Sequence, residues 1–259
     1  MFPFSGRTNQ YHYFDRQLGS PGWRKKTVLD FGGNVGGFLA GAGPEVRHED
    51  YWCLDLSRPA LEKGRADFPR AQFVFYDRYN SRNNPMGVPD LPVPDLGVRF
   101  DFVLAFSVFT HTSRDEMLTT IDQLRRLLRP GGVIAFTFFD PLFDPLKDSG
   151  FDLSQAREDA RSGPNILHRL EVKGDEFAGV DSARALAAAQ TARWMTLASG
   201  TLFVEPDDGP APDSLPEWSS FIQYYQPGYL KTLFPDADVR PPISPERQHC
   251  CVLHGGGAG

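Results

Sequence analysis

Short apolar runs alternate with polar, glycine-rich and proline-rich segments along the first 140 residues of the chain. Five of these runs are five to seven residues long, which is typical of buried strands and too short for most helices. The five predicted strands lie at residues 27–31, 50–55, 72–77, 100–106 and 133–139. Their apolar character predicts a sheet that is covered on both faces.

The segment before the fifth predicted strand has the clearest helical pattern. Ser113 and Glu116 have the spacing of a capping box, and Met117, Leu118, Ile121, Leu124, Leu127 and Leu128 form one apolar stripe. Residues 130–132, Pro-Gly-Gly, end the helix. Because strands and helices alternate, we predict an α/β fold with a doubly wound, mostly parallel sheet.

The alternation stops after Asp140, and the chain resumes it only near its end. Residues 141–216 are interpreted as a cap inserted after the fifth strand, with helical patterns at 153–161 and 182–192, short strands at 166–172 and 200–204, and a linker at 205–216. Residues 217–254 are predicted to return to the core, with a helix at 229–234 and closing strands at 237–240 and 248–253. The glycine-rich residues 255–259 are predicted to be a flexible tail.

Residues 1–26 are rich in aromatic side chains and precede the core, residues 27–140. We interpret them as an N-terminal arm whose aromatic residues pack on the core, with a lid over a ligand as the less favoured alternative. Five aromatic residues are candidates for the wall of a substrate site, but packing in the protein interior is the favoured role for each: Tyr11, Tyr13, Trp194, Tyr224 and Tyr225.

Composition and charge exclude few classes of partner. The chain has 259 residues, 41% of them hydrophobic, and its 27 Lys and Arg against 33 Asp and Glu give a net charge of -6. This charge offers no general attraction for a phosphate backbone, so a nucleic-acid partner is disfavoured. No apolar run reaches the roughly 20 residues that span a bilayer, and the N-terminus lacks a secretory pattern. Three Cys residues suit a reducing compartment, so we expect a cytoplasmic protein that needs no membrane.

A glycine-rich turn at residues 32–37 follows the first predicted strand. Glycine tolerates positive φ and lets a ligand approach the backbone, so a turn between a strand and a helix suits a nucleotide. Gly32, Gly33, Asn34 and Gly36 are therefore candidate cofactor-binding residues. The spacing Gly-x-x-x-Gly differs from the Gly-x-Gly-x-x-Gly of nicotinamide enzymes, although such an oxidoreductase stays open as an alternative.

Residues 28–36 resemble the Asp-x-Gly-x-Gly-x-Gly motif of class I S-adenosylmethionine (SAM)-dependent methyltransferases, with Asn34 replacing the middle glycine. Residues 125–133 look like the junction between a helix and the fifth strand in that family. The resemblance implies a Rossmann-like, seven-stranded sheet and SAM as cofactor, with S-adenosylhomocysteine (SAH) as product. It also implies which residues bind SAM: Asp30 beside the turn, Asp55 at the ribose with Leu56 after it, Asp77 near the adenine, and Phe106 and Ser107 at the methionine end.

The same resemblance implies methyl transfer, typically to an oxygen or nitrogen atom in a biosynthetic pathway. The acidic charge balance, the inserted cap and the lack of a nucleic-acid motif favour a small molecule as the acceptor, with a peptide as the open alternative. Methyl transfer from SAM is an in-line displacement that depends mainly on alignment of the reactants. His111, after the fourth strand, is a candidate base, with a loop histidine satisfied by hydrogen bonds as the equal alternative. A SAM-binding protein without transferase activity also stays open, as does the oligomeric state.

No metal is expected in this chain. The fourth strand ends in residues 105–107, Ala-Phe-Ser, without the acid of metal-dependent methyltransferases. His249, Cys250, Cys251 and His254 superficially suggest a metal site, but adjacent residues on a strand point to opposite faces. We therefore interpret this segment as a buried closing strand.

Overall fold

The computed structural model describes residues 9–80, 83–154, 163–173, 175–198, 201–204 and 221–255. Seven strands form the main sheet in the order β3-β2-β1-β4-β5-β10-β9. β10 is antiparallel to both of its neighbours, and the pairs among β1 to β5 are parallel. The strands are β1 (Val28–Phe31), β2 (Tyr51–Asp55), β3 (Gln72–Phe75), β4 (Phe100–Ala105), β5 (Leu128–Phe138), β9 (Asp238–Arg240) and β10 (His249–His254). This sheet confirms the predicted fold class.

Helices cover both faces of the main sheet, as the apolar strands require. One face packs against α1 (Gln10–Gln17), α2 (Gly37–Ala42) and α3 (Arg58–Asp67). The other face packs against α4 (Arg114–Arg125) and α7 (Pro227–Leu233). The Ser113 hydroxyl accepts a hydrogen bond from the Glu116 backbone N–H, so the predicted cap of α4 is confirmed. Among the described residues, no helix has both the length and the apolar character to cross a membrane.

The N-terminal arm contains a helix, α1, that the sequence pattern did not indicate. Asn9 caps it by accepting a hydrogen bond from the His12 backbone N–H at 3.1 Å. Tyr11, Tyr13 and Phe14 are buried against the sheet face that carries α2, which confirms the packing interpretation for the arm. Residues 1–8 lie outside the described residues.

The segment after β5 forms a second, smaller sheet in the order β7-β6-β8. Its strands are β6 (Trp194–Ala198), β7 (Thr201–Val204) and β8 (Phe221–Tyr225), and they pack with α5 (Asn165–Val172) and α6 (Ser182–Thr191). Because β8 pairs with β6, the cap includes residues 221–225, which we had assigned to the core. The cap joins the main sheet through a bridge between Phe139 and Tyr224.

Three predictions for the cap are settled, and two concern residues that lie largely or entirely outside the described part of the chain. The strand predicted at residues 200–204 is confirmed by β7. The helix predicted at residues 182–192 is confirmed by α6, whereas the strand predicted at 166–172 is wrong, because this segment is helix α5. Ile166 and Leu170 are four residues apart and therefore share one helix face, which packs into the cap core. The helical pattern at 153–161 falls largely, and the linker at 205–216 entirely, outside the described residues.

Candidate active site

A cavity of about 330 Å³ opens at the carboxyl ends of the parallel strands. Ligands bind at this edge in open α/β sheets, because the loops that follow the strands converge there. The cavity is lined by Phe31, Gly32, Asn34, Leu54, Asp55, Leu56, Ser57, Tyr76, Arg78, Tyr79, Asn80, Asn83, Phe106, Ser107, Val108, Phe109, His111, Thr112, Glu116 and Thr120. Seven of the predicted site residues lie in this wall: Gly32, Asn34, Asp55, Leu56, Phe106, Ser107 and His111.

The glycine turn leaves no room for a side chain at its first position. Gly32 has φ +74°, and a Cβ built there would lie 2.5 Å from Cγ2 of Val108, which follows β4. Asn34, which replaces a glycine of the motif, also has a positive φ of 55°. Asparagine tolerates this left-handed conformation better than most residues, so the substitution preserves the path of the turn.

The carboxylate of Asp55 connects the end of β2 to the glycine turn. Its Oδ2 accepts a hydrogen bond from the Asn34 backbone N–H and its Oδ1 accepts one from the Ser57 backbone N–H, both at 2.8 Å. Burial raises the pKa of Asp55, and these backbone hydrogen bonds oppose that rise. Each oxygen keeps a lone pair, so the carboxylate can accept further hydrogen bonds from a ligand in the cavity.

Asp30 is placed below the turn and does not line the cavity. Its carboxyl group is buried and accepts a 2.6 Å hydrogen bond from the Tyr51 hydroxyl. A Cβ at Gly33 would lie 2.5 Å from Cγ of Asp30, so the carboxyl group packs directly against the turn. Burial raises the pKa of Asp30 to about 7. This position, below the turn and outside the cavity wall, supports a structural role for Asp30 in bracing the glycine turn.

Asp77 and Gly36 are also absent from the wall of the cavity. The carboxylate of Asp77 accepts a 3.0 Å hydrogen bond from the Asn84 side-chain amide. Its neighbours Tyr76 and Arg78 line the cavity instead. Gly36 has φ +83° and is the N-cap residue before α2, and a Cβ at this position would meet the ring of Phe73 at 3.0 Å.

An ion pair that sequence reasoning missed lies in the wall of the cavity. Arg78 Nε and Glu116 Oε1 are 3.1 Å apart, and the Arg78 guanidinium also donates to the Leu91 carbonyl. The guanidinium is largely buried, so its partners fix its position more firmly than those of a surface pair would. No local pattern indicated this pair, because Arg78 lies beyond the end of β3 at Phe75 and Glu116 is 38 positions further along the chain.

Residues after β4 form the side of the cavity nearest the N-terminal arm. The Phe106 ring packs edge-on against Tyr13 of α1, with the ring centroids 5.4 Å apart. Ser107 has φ +56°, an uncommon conformation for a residue other than glycine. Its backbone N–H donates a 2.7 Å hydrogen bond to the Thr137 hydroxyl of β5. Such local strain persists only where surrounding contacts hold it.

His111 is exposed and lines the cavity from the end of a short 3-10 helix, Phe109–His111. The cap strand β8 packs beside this helix. The cavity wall therefore contains an imidazole close to the place where the cap contacts the core.

The closing strand β10 contains the four residues that superficially suggested a metal site; it buries three of them, and His254 at its end is exposed. Cys250 and Cys251 pair with β5 and β9 and are fully buried, which confirms the strand interpretation. His249 packs between Phe138 and Phe143, and burial lowers its pKa to about 4. Asp140 accepts a hydrogen bond from the Leu142 backbone N–H at 2.9 Å, so its side chain caps the loop that follows β5.

Comparison with known families identifies the central part of the chain. Residues 29–134 match a family model described as a methyltransferase domain. This range contains the glycine turn, Asp55, the residues after β4 and His111. It ends before the cap begins.

Solved structures share the fold along nearly the whole chain at low sequence identity. One is a SAM-bound amino pentose methyltransferase from Micromonospora echinaspora involved in calicheamicin biosynthesis, with 16% identity, a TM-score of 0.51, and 97% of this chain and 93% of that chain covered. Another is a methyltransferase from Streptomyces caelestis, with 16% identity, a TM-score of 0.52 and coverage of 97% and 92%. A third is the magnesium protoporphyrin IX methyltransferase of Synechocystis PCC 6803 with bound SAH, with 12% identity, a TM-score of 0.51 and coverage of 95% and 82%.

Proposed function

We propose that this chain is a class I SAM-dependent methyltransferase that transfers a methyl group from SAM to an oxygen or nitrogen atom of a small molecule in a biosynthetic pathway, since residues 29–134 match a methyltransferase domain. The observation that carries this proposal is the cavity at the carboxyl edge of the sheet. One wall holds the glycine turn and Asp55, and another holds His111 beside the cap. A cofactor and an acceptor could therefore meet in one place.

The residues of the cavity fit the chemical groups of SAM. Gly32 has no side chain, so the cofactor can approach the backbone of the turn closely; a Cβ at this position would collide with Val108. The Asp55 carboxylate keeps lone pairs for the two ribose hydroxyls, and Leu56 beside it offers an apolar surface for the adenine. Phe106 and Ser107 are proposed to contact the methionine end of the cofactor.

Bound SAM supplies a methyl group on a sulfonium, so the protein needs no covalent intermediate of its own. The protein's contribution is to hold the acceptor's lone pair in line and to keep water out. A hydroxyl or ammonium acceptor must also lose a proton, and we assign that proton to the His111 imidazole. His111 is suited to this role because a neutral imidazole accepts protons near neutral pH.

The cap supports a small acceptor. β8 packs beside the 3-10 helix of His111, and the Tyr225 backbone N–H donates a 2.9 Å hydrogen bond to the Phe139 carbonyl, which follows β5. The cap is therefore fixed to the core at the edge that an acceptor must approach. Among proteins of similar fold, the amino pentose and magnesium protoporphyrin IX methyltransferases act on small molecules by their names, which agrees with this proposal.

The test is transfer of a labelled methyl group from SAM to a panel of small amines and hydroxyl compounds. We expect label in at least one compound, and a rate that falls in His111→Ala while SAH affinity stays the same. His111→Gln is the matched control, since it keeps a polar side chain that cannot take up the proton. An unchanged rate in both variants contradicts the base role, and label found in no compound of the panel contradicts the small acceptor.

A further inference from the structure

Ser107, Thr137 and Gln248 form a closed ring of hydrogen bonds at the end of β4. The Ser107 backbone N–H donates to the Thr137 hydroxyl at 2.7 Å, and that hydroxyl donates to Oε1 of Gln248 at 2.7 Å. Nε2 of Gln248 closes the ring by donating to Oγ of Ser107 at 2.6 Å. Thr137 and Gln248 are buried, so solvent does not compete for these bonds.

The ring determines the direction of the Ser107 hydroxyl. An amide nitrogen can only donate, so Oγ of Ser107 must accept from Gln248. The proton on Oγ is then directed away from Gln248. Because Ser107 lines the cavity, this proton is available to an acceptor inside it.

The N-terminal arm holds the ring in place. The Tyr13 hydroxyl of α1 donates a 2.8 Å hydrogen bond to the backbone carbonyl of Gln248, and both residues are buried. The Thr110 hydroxyl donates to the Ser107 carbonyl at 3.1 Å, so Ser107 is fixed at its side chain and at both backbone groups. These bonds explain how Ser107 keeps its positive φ.

We propose that Gln248, anchored by Tyr13, is a positioning residue that makes the Ser107 hydroxyl a donor to the carboxylate of the methionine half of SAM. This inference rests on the proposed function. The cavity extends from the end of β2, where Asp55 would take the ribose, to the end of β4, where Ser107 lies. The half of the cofactor that reaches Ser107 is then the amino acid, whose carboxylate accepts hydrogen bonds and cannot donate them.

The experiment compares the affinities of two ligands by calorimetry. SAH carries the amino-acid half, whereas 5′-methylthioadenosine lacks it and keeps the adenosine. Ser107→Ala removes the donor, so we expect a loss of about tenfold or more in SAH affinity, as for hydrogen bonds to charged groups, with methylthioadenosine changed by less than about twofold. Tyr13→Phe should lower SAH affinity by a few-fold, since it removes only the anchor.

Gln248→Glu tests the direction of the ring. A carboxylate at this position accepts from Ser107 and turns the hydroxyl proton away from the cavity, so SAH affinity should fall about as much as in Ser107→Ala. In the Ser107→Ala background, Gln248→Glu should lower SAH affinity little further, because the hydroxyl that it would redirect is already gone. If the new carboxylate simply repelled the carboxylate of SAH, the further loss of affinity would persist in that background. Gln223→Glu is the matched control, because Gln223 is equally buried and accepts from the Thr196 hydroxyl at 2.6 Å within the cap.

The ratio of the two affinities decides the inference. Equal losses for SAH and methylthioadenosine, or no loss of SAH affinity in Ser107→Ala, would overturn it while leaving the proposed function intact. Unchanged SAH affinity in Gln248→Glu would show that the amide lies the other way round and does not orient the serine. If the unmodified protein binds neither ligand, the proposed function itself fails.

Discussion

The Tyr51 hydroxyl donates a 2.6 Å hydrogen bond to the Asp30 carboxyl group, and both residues are buried on adjacent strands of the sheet. This bond favours the ionised carboxylate, but removal from water has the larger effect and raises the pKa of Asp30 to about 7. In the folded protein Asp30 is therefore protonated up to about pH 7, whereas in the unfolded chain the same side chain is already ionised above about pH 4. Stability must then depend on pH.

Asp30→Asn should remove this dependence. The folded pKa is raised, so the contribution of Asp30 is fully present below the unfolded value near 4 and is lost as pH rises through about 7. The loss amounts to about 4 kcal/mol at most for a shift of this size. Urea unfolding between pH 4 and pH 8 should show the free energy of unfolding of the variant rising relative to the unmodified protein. A constant difference across this range would contradict the raised pKa.

His249 should show the opposite dependence. Its imidazole packs between two phenylalanine rings, and burial lowers its pKa to about 4 although Asp140 Oδ2 lies 4.0 Å away. The contact with Asp140 is too long and too weak to offset the loss of water. A lowered pKa gives stability that is present above the unfolded value near 6.5 and is lost as pH falls towards 4, by about 3 kcal/mol at most.

His249→Phe is the variant that isolates this effect. Phenylalanine suits the apolar surroundings and cannot be protonated. The stability difference between the variant and the unmodified protein should therefore grow in favour of the variant as pH falls from 7 to 4, in the same urea experiment. A difference that stays flat would mean that His249 is protonated in the folded protein as readily as in the unfolded chain.

Gly32 and Gly131 allow the cost of close packing to be separated from the cost of backbone strain. Their φ values are +74° and +75°, but a Cβ at Gly131 meets nothing within 4 Å, whereas one at Gly32 meets Val108 at 2.5 Å. Gly131→Ala should cost about 1–2 kcal/mol of stability from strain alone. Gly32→Ala should cost about 1–3 kcal/mol more from overpacking.

A double-mutant cycle checks this explanation. Val108→Ala removes the atoms that a Cβ at Gly32 would meet, so much of the additional cost of Gly32→Ala should disappear in that background. Thermal or urea unfolding of the unmodified protein, the two single variants and the double variant measures this change in the cost of Gly32→Ala. Equal costs for Gly32→Ala and Gly131→Ala would contradict the close contact.

Local patterns allowed most of the core to be predicted from the sequence. Strands β1 to β4 are short apolar runs, and α4 has a capping box, so neighbouring residues determine these elements. The boundary between α4 and β5 was predicted wrongly, because α4 ends at Arg125 and β5 already begins at Leu128, before the Pro-Gly-Gly segment.

Helix α5 was mistaken for a strand because residues 166–172 form a short segment rich in apolar residues. The i to i+4 spacing of Ile166 and Leu170, which share a helix face in the structure, is the signal that favours a helix. Strand β8 was missed because its partner β6 lies on the far side of a long connection.

The candidate site divides in the same way. Gly32, Asn34 and Asp55 lie in the motif and at the end of a strand, so spacing was sufficient to predict their place in the cavity wall. Asp77 was expected in the site because it ends the third predicted strand, but β3 ends two residues earlier, at Phe75. Nothing in the sequence indicated that the Asp77 carboxylate would accept a hydrogen bond from Asn84. The ring at Ser107 joins residues 30, 111 and 141 positions apart, which no local pattern reveals.

The most direct measurement is calorimetric titration of the purified protein with SAH, after any bound ligand has been removed. We predict binding in the micromolar range, about -8 kcal/mol, which Asp55→Ala weakens by about 1–3 kcal/mol. Asp77→Asn, at a carboxylate outside the cavity wall, should leave this affinity nearly unchanged. Absence of SAH binding, or the same affinity in the protein with Asp55→Ala, would contradict a SAM site in this cavity.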